Sequence, residues 1–529
     1  MTDRLANGLA SLGVGDGVAV GIFLPMSPEA VAAVMACAKL GAIFLPVFSG
    51  FAADAVAVRL NDARAKILVT ADGFPRRGKT VMMKEIADDA AARTPSLEHV
   101  VVWSRLGRKD LLWASGRDVR WEELLEAQPD RFETRELDPE HPLFIAYTSG
   151  TTGRPKGAVH VHGGFLVKIS EEVAYQADLH PGEILYWFAD LGWIMGPWEV
   201  VGATALGATV FCSDTAPDHP EPDRLWAMVE RHRITHLGVS PTLIRALIPH
   251  GREHVTKHDR SSLRILASTG EPWNPEPWRW FFEVVGEGRC PIINLSGGTE
   301  VGACFLSPHP ISPLEPCTLR GPALGMDLDI VDAVGEPVPR GQVGELVCRQ
   351  PWPGMTRGIW GDPERYLDTY WRRFPGVWVH GDWASVNEEG FWFLHGRSDD
   401  TISLAGKRLG PAEVESVLAD HPAVAEAAAV GVPHPIKGEA VWCFVVPTPT
   451  AEPGGTLSAE LADLVADHLG KAFRPSRVVF VDELPRTRSA KILRRAIRAA
   501  VAGEDAGDLS SLENPRALEA IRAAVRPAD

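Results

Sequence analysis

The chain has 529 residues, of which 45% are hydrophobic and 23% are charged, so it is long enough to form two or more domains. Its formal net charge of −16 at pH 7 argues against a nucleic-acid partner, because proteins that bind nucleic acids usually carry a basic face. No apolar run approaches the roughly 18 residues that span a bilayer, and the first residues lack a signal-peptide pattern. We therefore expect a soluble, cytoplasmic protein with no membrane span.

Predicted strands and helices alternate along the first 400 residues. The apolar run "VAVGIFLP" precedes the alanine-rich helical pattern "SPEAVAAVMACAKLG", and "ITHLGVS" precedes "PTLIRALI". This alternation is typical of α/β layers with parallel strands. Near residue 400 a polar turn region begins, and a smaller α/β unit follows it. We predict a large N-terminal domain over residues 1–398, a C-terminal domain over 399–502 and an extension over 503–529 that ends in a short helix.

The seven cysteines are scattered along the chain, and none forms the C-x-x-C pair that is typical of zinc sites and redox pairs. This pattern predicts free, buried thiols in a reducing compartment. The residues concerned are Cys37, Cys212, Cys290, Cys304, Cys317, Cys348 and Cys443.

The stretch 147-YTSGTTGRPKGAVHVH-162 begins where the apolar run "PLFIAY" ends. Its glycines can turn backbone N–H groups toward a phosphate, its hydroxyl groups add donors, and Lys156 adds positive charge. It is not a Walker loop, because that motif requires serine or threonine after the lysine, where Gly157 stands here. The stretch favours an anion-binding loop, and a flexible surface loop remains the alternative from these residues alone.

Further motifs follow this stretch at large separations. They are "269-TGEPWNPEPW-278", "294-NLSGGTEVG-302", "380-HGDWA-384", "396-GRSDD-400", "406-GKRLGPAEVES-416" and "485-PRTRSAKILRR-495". Together with "YTSGTTGRPKG" they resemble the adenylate-forming superfamily, which contains acyl-CoA synthetases, peptide-synthetase adenylation domains and luciferases. The stretch "GEPWNPEPWRWFFEVVGEGRCPI" is most similar to the acetyl-CoA-synthetase-like branch. The resemblance covers nearly the whole chain.

The resemblance implies a large N-terminal α/β domain with a phosphate-binding loop and a small, mobile C-terminal α/β domain that rotates about a hinge at Asp399. The chain begins at a sequence that relatives carry well inside their first domain, so either the start of the given sequence lies too late or this member has lost an N-terminal segment.

The resemblance also implies a two-step reaction. A carboxylate is joined to the α-phosphate of ATP in the presence of Mg²⁺, and pyrophosphate leaves. The thiol of coenzyme A (CoA) then attacks the acyl-adenylate to give acyl-CoA and AMP. Three alternatives stay open at this point, namely an adenylation enzyme that loads a carrier-protein thiol, an acetate-using acetyl-CoA synthetase and a catalytically silent ATP-binding relative. The oligomeric state also stays open.

The matching positions imply an ATP site that supplies donors, a metal and a mobile cation. Glu300 would hold Mg²⁺, which prefers oxygen ligands, and Asp382 would accept hydrogen bonds from both ribose hydroxyls. Lys491 would bind the carboxylate and the α-phosphate, since a flexible ammonium group can follow moving charge. The other residues implied at the ATP site are Thr148, Ser149, Gly150, Thr151, Thr152, Gly153, Lys156, Gly270, Glu271, Pro272, Asn294, Ser296, Gly297, Gly298, Thr299, Arg397 and Arg408.

The resemblance further implies contacts of CoA with Arg76, Lys79 and Gly406, and it marks His421 as a second candidate metal site. Acetate-using relatives place a tryptophan where Gly297 stands, so we expect an acid larger than acetate. On this hypothesis Gly297→Trp restores a preference for short acids. The residues implied at the acyl pocket are Trp193, Ile194, Met195, Thr269 and Gly297.

Overall fold

The computed structural model describes residues 1–148, 155–398, 402–404, 407–434, 438–469, 471–487, 492–507, 509 and 512–525, with the backbone alone at 403, 404, 407–409, 438 and 472. The chain divides into two units. The first consists of Met1–Thr148, Pro155–Asp327 and Gln350–Thr369, and the second contains the described residues within Leu328–Arg349 and Tyr370–Asp529.

The first unit is built from strands and helices that alternate along most of its length. Its strands are β1 (Ala19–Phe23), β2 (Ile43–Pro46), β3 (Ile67–Ala71), β4 (Phe74–Arg76), β5 (Lys79–Val81), β6 (His99–Trp103), β7 (Asp118–Arg120), β8 (Pro142–Thr148), β9 (Lys156–Val161), β10 (Ile184–Trp187), β11 (Thr209–Val210), β12 (His236–Val239), β13 (Ile265–Ser268), β14 (Ile292–Asn294), β15 (Ser296–Gly297), β16 (Cys304–Leu306) and β17 (Leu319–Arg320).

Twelve α-helices accompany these strands, with two π-helical turns at Glu172–Gln176 and Phe281–Val285 and a 3₁₀ turn at Ile248–His250. The helices are α1 (Thr2–Ser11), α2 (Pro28–Leu40), α3 (Ala53–Asp62), α4 (Met83–Ala91), α5 (Trp121–Glu126), α6 (His162–Glu171), α7 (Met195–Ala205), α8 (Arg224–His232), α9 (Pro241–Leu247), α10 (Glu253–Thr256), α11 (Pro275–Trp280) and α12 (Pro363–Tyr370).

Two sheets organise the first unit. One has the strand order β7–β6–β3–β1–β2–β8–β9, and all its pairs are parallel except β8 with β9. The other has the order β11–β10–β12–β13–β14 and is parallel throughout. Parallel sheets are buried on both faces, and the near-continuous apolar runs of β1, β2 and β3 are buried at every residue.

Local sequence explains where the helices begin and end. In α2, the Ser27 hydroxyl accepts a hydrogen bond from the Ala30 N–H over 3.1 Å, and Gly41 ends the helix in the left-handed region at φ +71°. A serine cap and a C-terminal glycine are the residue types that satisfy the free backbone groups of a helix end. Ser240 caps α9 in the same way, with the Leu243 N–H as donor over 3.2 Å.

The second unit contains nine strands, four α-helices and a 3₁₀ turn at Lys471–Phe473 among its described residues. They are β18 (Leu328–Val331), β19 (Gly344–Cys348), β20 (Trp378–Val386), β21 (Phe391–Arg397), β22 (Ile402–Leu404), β23 (Lys407–Leu409), β24 (Val424–His434), β25 (Gly438–Pro447) and β26 (Arg477–Phe480), with α13 (Pro411–Ala419), α14 (Gly455–Leu469), α15 (Arg494–Ala502) and α16 (Pro515–Val525).

The strands of the second unit form two sheets. β18, β19, β20 and β21 pair in that order and are antiparallel. The second sheet has the order β23–β22–β25–β24, and β26 pairs with β25 in parallel. One group of buried side chains joins this sheet to α13 and α14, and another joins it to α15 and α16.

The predicted C-terminal extension is part of this second core. Helix α16 confirms the short terminal helix, and its Leu518 and Ile521 are 3% and 0% exposed. Just before it, Asn514 Oδ1 accepts a hydrogen bond from the Arg486 N–H over 3.0 Å, and Asn514 Nδ2 donates to the Leu484 carbonyl over 2.9 Å. The extension therefore packs into the second core, and Asn514 binds it to the backbone at Leu484 and Arg486.

The fold confirms the predicted α/β class, with parallel layers in the larger unit. The domain boundary at Asp399 stays a prediction, because that residue lies outside the described part of the chain. The prediction of buried cysteines holds for five of them and is wrong for Cys212 and Cys317, which are half-buried. Within the described ranges, no helix is both long and apolar enough to cross a membrane.

Candidate active site

The strands β8 and β9 carry the two ends of the predicted phosphate-binding stretch. β8 ends at Thr148 and β9 begins at Lys156, and these residues lie opposite each other in the antiparallel register. Residues 149–154 lie outside the described part of the chain, and they include the predicted Ser149, Gly150, Thr151, Thr152 and Gly153.

Glu300 contacts both ends of that stretch. The Thr148 hydroxyl donates to Glu300 Oε1 over 3.2 Å, and Lys156 Nζ lies 3.6 Å from the same oxygen. Glu300 is 6% exposed, so its carboxylate is held in place by its surroundings. The structure thus brings together three of the predicted ATP-site residues.

The oxygen atoms at Glu300 fit a magnesium ion, a hard cation that keeps several water ligands and often shares phosphate oxygens. Glu300, with Thr148 beside it, would hold the ion. Among the described residues, no group of three or more His, Cys, Asp or Glu side chains could form a metal site.

We call the motif 294-NLSGGTEVG-302 the TE motif, after its Thr299 and Glu300. Donors from outside this motif fix its backbone. The Thr299 carbonyl accepts from His160 Nε2 over 2.7 Å, the Glu300 carbonyl from the Thr356 N–H over 2.9 Å, and the Val301 carbonyl from Trp352 Nε1 over 2.7 Å. Three consecutive peptide groups are thus oriented by β9 and by the segment 352–356. Sequence reasoning missed these donors, and the only signal was the histidine in "AVHVH", directly after the phosphate-binding stretch.

His160 is a neutral donor in this setting. It is 1% exposed and packs against the rings of Phe144 and Phe165. Burial lowers the pKa of His160 to about 4, so the imidazole stays uncharged around neutral pH. Its Nε2–H can orient Thr299 without adding positive charge beside the phosphate-binding stretch.

The predicted adenine-side residues follow two neighbouring parallel strands. Ser268 at the end of β13 pairs with Asn294 at the end of β14. The Thr269 hydroxyl then donates to the Leu295 carbonyl over 2.8 Å, and the Asn294 amide donates to the Thr318 carbonyl over 3.0 Å. Carboxyl ends of parallel strands are where ligands bind in open α/β sheets, so the placement fits the predicted purine wall.

Gly270, Glu271 and Pro272 lie on the next turn. Gly270 has φ +106°, and an added Cβ would meet nothing within 4 Å. This position therefore requires glycine because of its backbone conformation and not because of a lack of space. Glu271 accepts hydrogen bonds from the Thr242 N–H over 2.8 Å and from Arg245 Nη2 over 2.6 Å. Its carboxylate therefore fixes this turn against helix α9.

Gly297, a predicted acyl-pocket and ATP-site residue, lies where two strands approach each other closely. A Cβ on Gly297 would lie 1.8 Å from the Ala303 carbonyl oxygen and 2.4 Å from the Cys304 Cα, because β15 and β16 pair closely here. The expectation that Gly297→Trp restores short-acid selectivity stays a prediction, and this close approach makes that variant a poor test of it. Any side chain at this position would displace the backbone of β16 before it reached an acyl group.

Gly297→Ala is expected to destabilise the protein by about 1–3 kcal/mol, the typical cost of forcing extra atoms into a packed site. The melting temperature and the urea midpoint measure this change. Gly15→Ala is a suitable control, since its added Cβ would lie 3.7 Å from Arg135 Nη1 at ordinary contact distance. Equal stability of the two variants would contradict the close approach at Gly297.

The predicted acyl-pocket residues Trp193, Ile194 and Met195 lie at the start of helix α7. Trp193 packs against Phe48, with 5.2 Å between ring centroids, and Met195 is 5% exposed. The turn before them is fixed by Asp190, which accepts from the Gly192 N–H over 2.9 Å. The segment is therefore ordered by contacts with the loop that follows β2.

Arg76 and Lys79, the predicted CoA contacts, lie opposite each other in the β4–β5 hairpin and are exposed. Arg77 and Gly78 form its turn with φ +49° and +73°, the geometry that two-residue hairpins favour. Burial raises the pKa of Asp190, and a hydrogen bond from Ser49 and the charge of Arg76 oppose that rise.

The predicted ribose-binding residues lie in the second unit. Asp382 on β20 and Arg397 on β21 are cross-strand partners, and Arg397 Nη1 donates to Asp382 Oδ1 over 3.3 Å. Next to them, Ser398 N–H donates to the Gly381 carbonyl over 2.8 Å, and Ser398 Oγ donates over 2.9 Å to Glu345, which is fully buried. Glu345, which sequence reasoning missed, fixes the residue before the predicted hinge.

The remaining predicted residues are only partly described. Asp399, Gly406 and Lys491 lie outside the described part of the chain, and Arg408 is described by its backbone alone. His421 Nδ1 accepts from the Ala423 N–H and its Nε2 lies 3.2 Å from Glu460 Oε1. Both ring nitrogens are therefore engaged, which argues against His421 as a metal ligand.

A profile of the AMP-binding enzyme family matches residues 1–360, and a profile of the AMP-binding enzyme C-terminal domain matches residues 413–491. The chain belongs to the AMP-binding enzyme family. This confirms the resemblance to adenylate-forming enzymes.

Several acetyl-coenzyme A synthetases are similar to this chain. That of Pyrobaculum arsenaticum is 44% identical over 520 residues, which are 97% of this chain and 78% of that protein. That of Methanothrix thermoacetophila is 43% identical over 524 residues, 98% of this chain and 79% of that protein. A solved structure, the acetoacetyl-CoA synthetase from Streptomyces lividans, superposes with a TM-score of 0.91 at 30% identity and covers 99% of this chain and 80% of that one.

These similarities make the chain an AMP-forming acid–CoA ligase. AMP-binding acyl-CoA synthetases use ATP, Mg²⁺ and CoA, with a carboxylic acid as the other substrate. The similar proteins are named for acids of different size, so the size of the acid is a separate question.

Proposed function

We propose that this AMP-binding enzyme converts a carboxylic acid larger than acetate to its acyl-CoA through an acyl-adenylate. The observation that supports the size of the acid is that glycine stands at position 297, so no indole narrows the acyl pocket there. An indole at position 297 would narrow the acyl pocket in acetate-using relatives, and this backbone has no room for one. Trp193, Ile194 and Met195 then line the acyl group, with Thr269 beside the purine wall.

In the first half-reaction, the acid attacks the α-phosphate of ATP. Lys156 and the Thr148 hydroxyl would bind phosphate oxygens, and Lys491 would join the acid carboxylate and the α-phosphate. Glu300 would hold Mg²⁺, which supplies charge neutralisation when it is bound. Thr299, oriented by His160, would add a hydroxyl donor, and donors preset in this way stabilise developing charge.

The nucleoside would contact residues from several of the motifs. Gly270, Glu271 and Pro272 would lie on one side of the purine, and the segment from Asn294 to Gly298 on the other. Asp382 would accept from the ribose hydroxyls, and Arg397, which already donates to Asp382, would orient that carboxylate. Arg408 would lie near the phosphates.

In the second half-reaction, the CoA thiol attacks the acyl carbonyl carbon, and AMP leaves. Arg76 and Lys79 would bind the 3′-phosphate of CoA, and Gly406 would leave space for the pantetheine arm. Between the two half-reactions the small domain over 399–502 would rotate relative to residues 1–398, about a hinge at Asp399. This rotation would exchange the residues that the small domain presents to the substrates.

Pyrophosphate release over a series of acids tests the proposal. We expect kcat/KM to rise from acetate to acids of four or more carbons, because each buried methylene contributes roughly 0.8 kcal/mol, about fourfold in rate. Ile194→Trp, which adds an indole at the acyl segment, is expected to shift the preference toward shorter acids, and Tyr175→Trp, at a 65% exposed position, serves as control. Highest activity with acetate would contradict the proposed size of the acid. It would instead favour acetate, the acid for which the similar acetyl-coenzyme A synthetases are named.

A further inference from the structure

The carboxylate of Glu172 is a buried acceptor for three donors. Glu172 opens the π-helical turn after α6 and is 0% exposed. Its Oε1 accepts from the Cys304 N–H over 3.1 Å and lies 3.2 Å from Lys168 Nζ, and its Oε2 accepts from Trp198 Nε1 over 2.8 Å. The Cys304 thiol also donates to Gln176 Oε1 over 3.2 Å. We call these five residues the Glu172 cluster.

Two of the three donors to Glu172, Trp198 and Cys304, belong to separate site segments. Trp198 lies in the first turn of α7, one turn after the acyl residue Met195. Cys304 opens β16, directly after the loop that carries Glu300. One carboxylate therefore connects the acyl segment to the loop of the TE motif, although neither segment contacts Glu172 through its predicted site residues.

A carboxylate suits this arrangement of donors, since it can accept hydrogen bonds at both oxygens and donates none. A glutamine of the same shape would have to turn its N–H₂ group toward the indole N–H, the peptide N–H or the ammonium group. Lys168 supplies the opposite charge and is 3% exposed. Although burial opposes its charge, Glu172 beside it raises the pKa of Lys168, so the ammonium group keeps its charge.

We propose that Glu172 is a positioning residue that fixes the acyl segment Trp193–Met195 relative to the loop of Thr299 and Glu300. The inference rests on the proposed function for the roles of those segments. Reacting groups displaced by about 1 Å can lose on the order of a hundredfold in rate, so a connection between the acid and the phosphate side affects the chemistry and not only the fold. π-helical turns are frequent at functional sites, which agrees with this placement.

The test compares Glu172→Gln with two controls. Glu171→Gln removes the neighbouring carboxylate, which contacts the same Lys168 over 3.0 Å but is 22% exposed. Asp118→Asn weakens the buried Lys84–Asp118 pair, whose charged atoms lie 2.9 Å apart in the same unit. It removes a buried carboxylate, as Glu172→Gln does, but at a position away from the two site segments. The readouts are hydrogen–deuterium exchange of residues 193–198 and 297–303, and kcat for acyl-adenylate formation.

We expect faster exchange in both segments and at least a tenfold lower kcat in Glu172→Gln, and neither change in the two controls. Trp198→Phe keeps the ring but removes the indole donor, and it is expected to speed exchange only in residues 193–198. Unchanged exchange in Glu172→Gln, or an equal loss of kcat in Asp118→Asn, would overturn the inference. If the wild-type enzyme formed no adenylate, the proposed function would fail and the exchange measurements would still decide the role of Glu172.

Discussion

Glu300→Gln is expected to slow acyl-adenylate formation by about a hundredfold or more. The amide keeps the shape of the side chain but removes the charge that would hold Mg²⁺, and preset electrostatic groups of this kind contribute about 10²–10³ in rate. The Thr148 hydroxyl, 3.2 Å from Glu300 Oε1, can still donate to the amide oxygen, so the fold should be retained. Pyrophosphate release is measured as the Mg²⁺ concentration is varied.

The apparent affinity for Mg²⁺ should fall together with the rate in this variant. Glu283→Gln, at an exposed position of the same unit, is the control and should behave as the wild type. A Glu300→Gln enzyme with normal dependence on Mg²⁺ would show that another group holds the ion.

Lys491→Ala is expected to abolish acyl-adenylate formation, with a loss on the order of a hundredfold or more, and to leave thioester formation from a supplied acyl-adenylate largely intact. The reason is that an ammonium group bound to the acid and the α-phosphate acts only while the adenylate forms. Single-turnover assays of each half-reaction separate the two effects. Lys471→Ala, at an exposed position of the second unit, is the control, and equal damage to both half-reactions in Lys491→Ala would refute this role.

The sequence predicts the local structure of this enzyme well because the relevant signals are local. The serine before α2, the glycine after it and the apolar runs of β1 and β3 each act within a few residues. Such local signals could not predict the order of the strands in the two sheets, since that order depends on contacts between distant residues. The position of α16 in the second core is another example, because the polar connector before it gives no sign of where the helix packs.

The candidate site likewise contains residues that the sequence predicts and residues that only the structure reveals. Motif residues such as Thr148, Lys156 and Glu300 were predicted from the resemblance to the family, and the structure brings these three together. The donors that orient the backbone of the TE motif were missed, because a carbonyl acceptor has no residue type of its own. Trp352 and Thr356 could be found only from the three-dimensional structure.

Gly297 shows why a residue type alone can mislead. A glycine in place of a tryptophan suggests an open pocket, but glycine also occurs where two backbone segments approach closely. Only the distance to Ala303 distinguishes these cases. The size of the acid must therefore be tested with residues whose side chains have room, such as Ile194.

The packing of the last helix has a practical consequence for anyone who shortens or labels this protein. Ending the gene after residue 502 would remove Leu518 and Ile521 from a hydrophobic core and expose their partners on α15 and β24. It would also remove Asn514, whose side chain bonds the backbone at Leu484 and Arg486, a few residues before Lys491. A version trimmed after residue 502 would thus expose apolar side chains of the second core and loosen the segment that leads to Lys491.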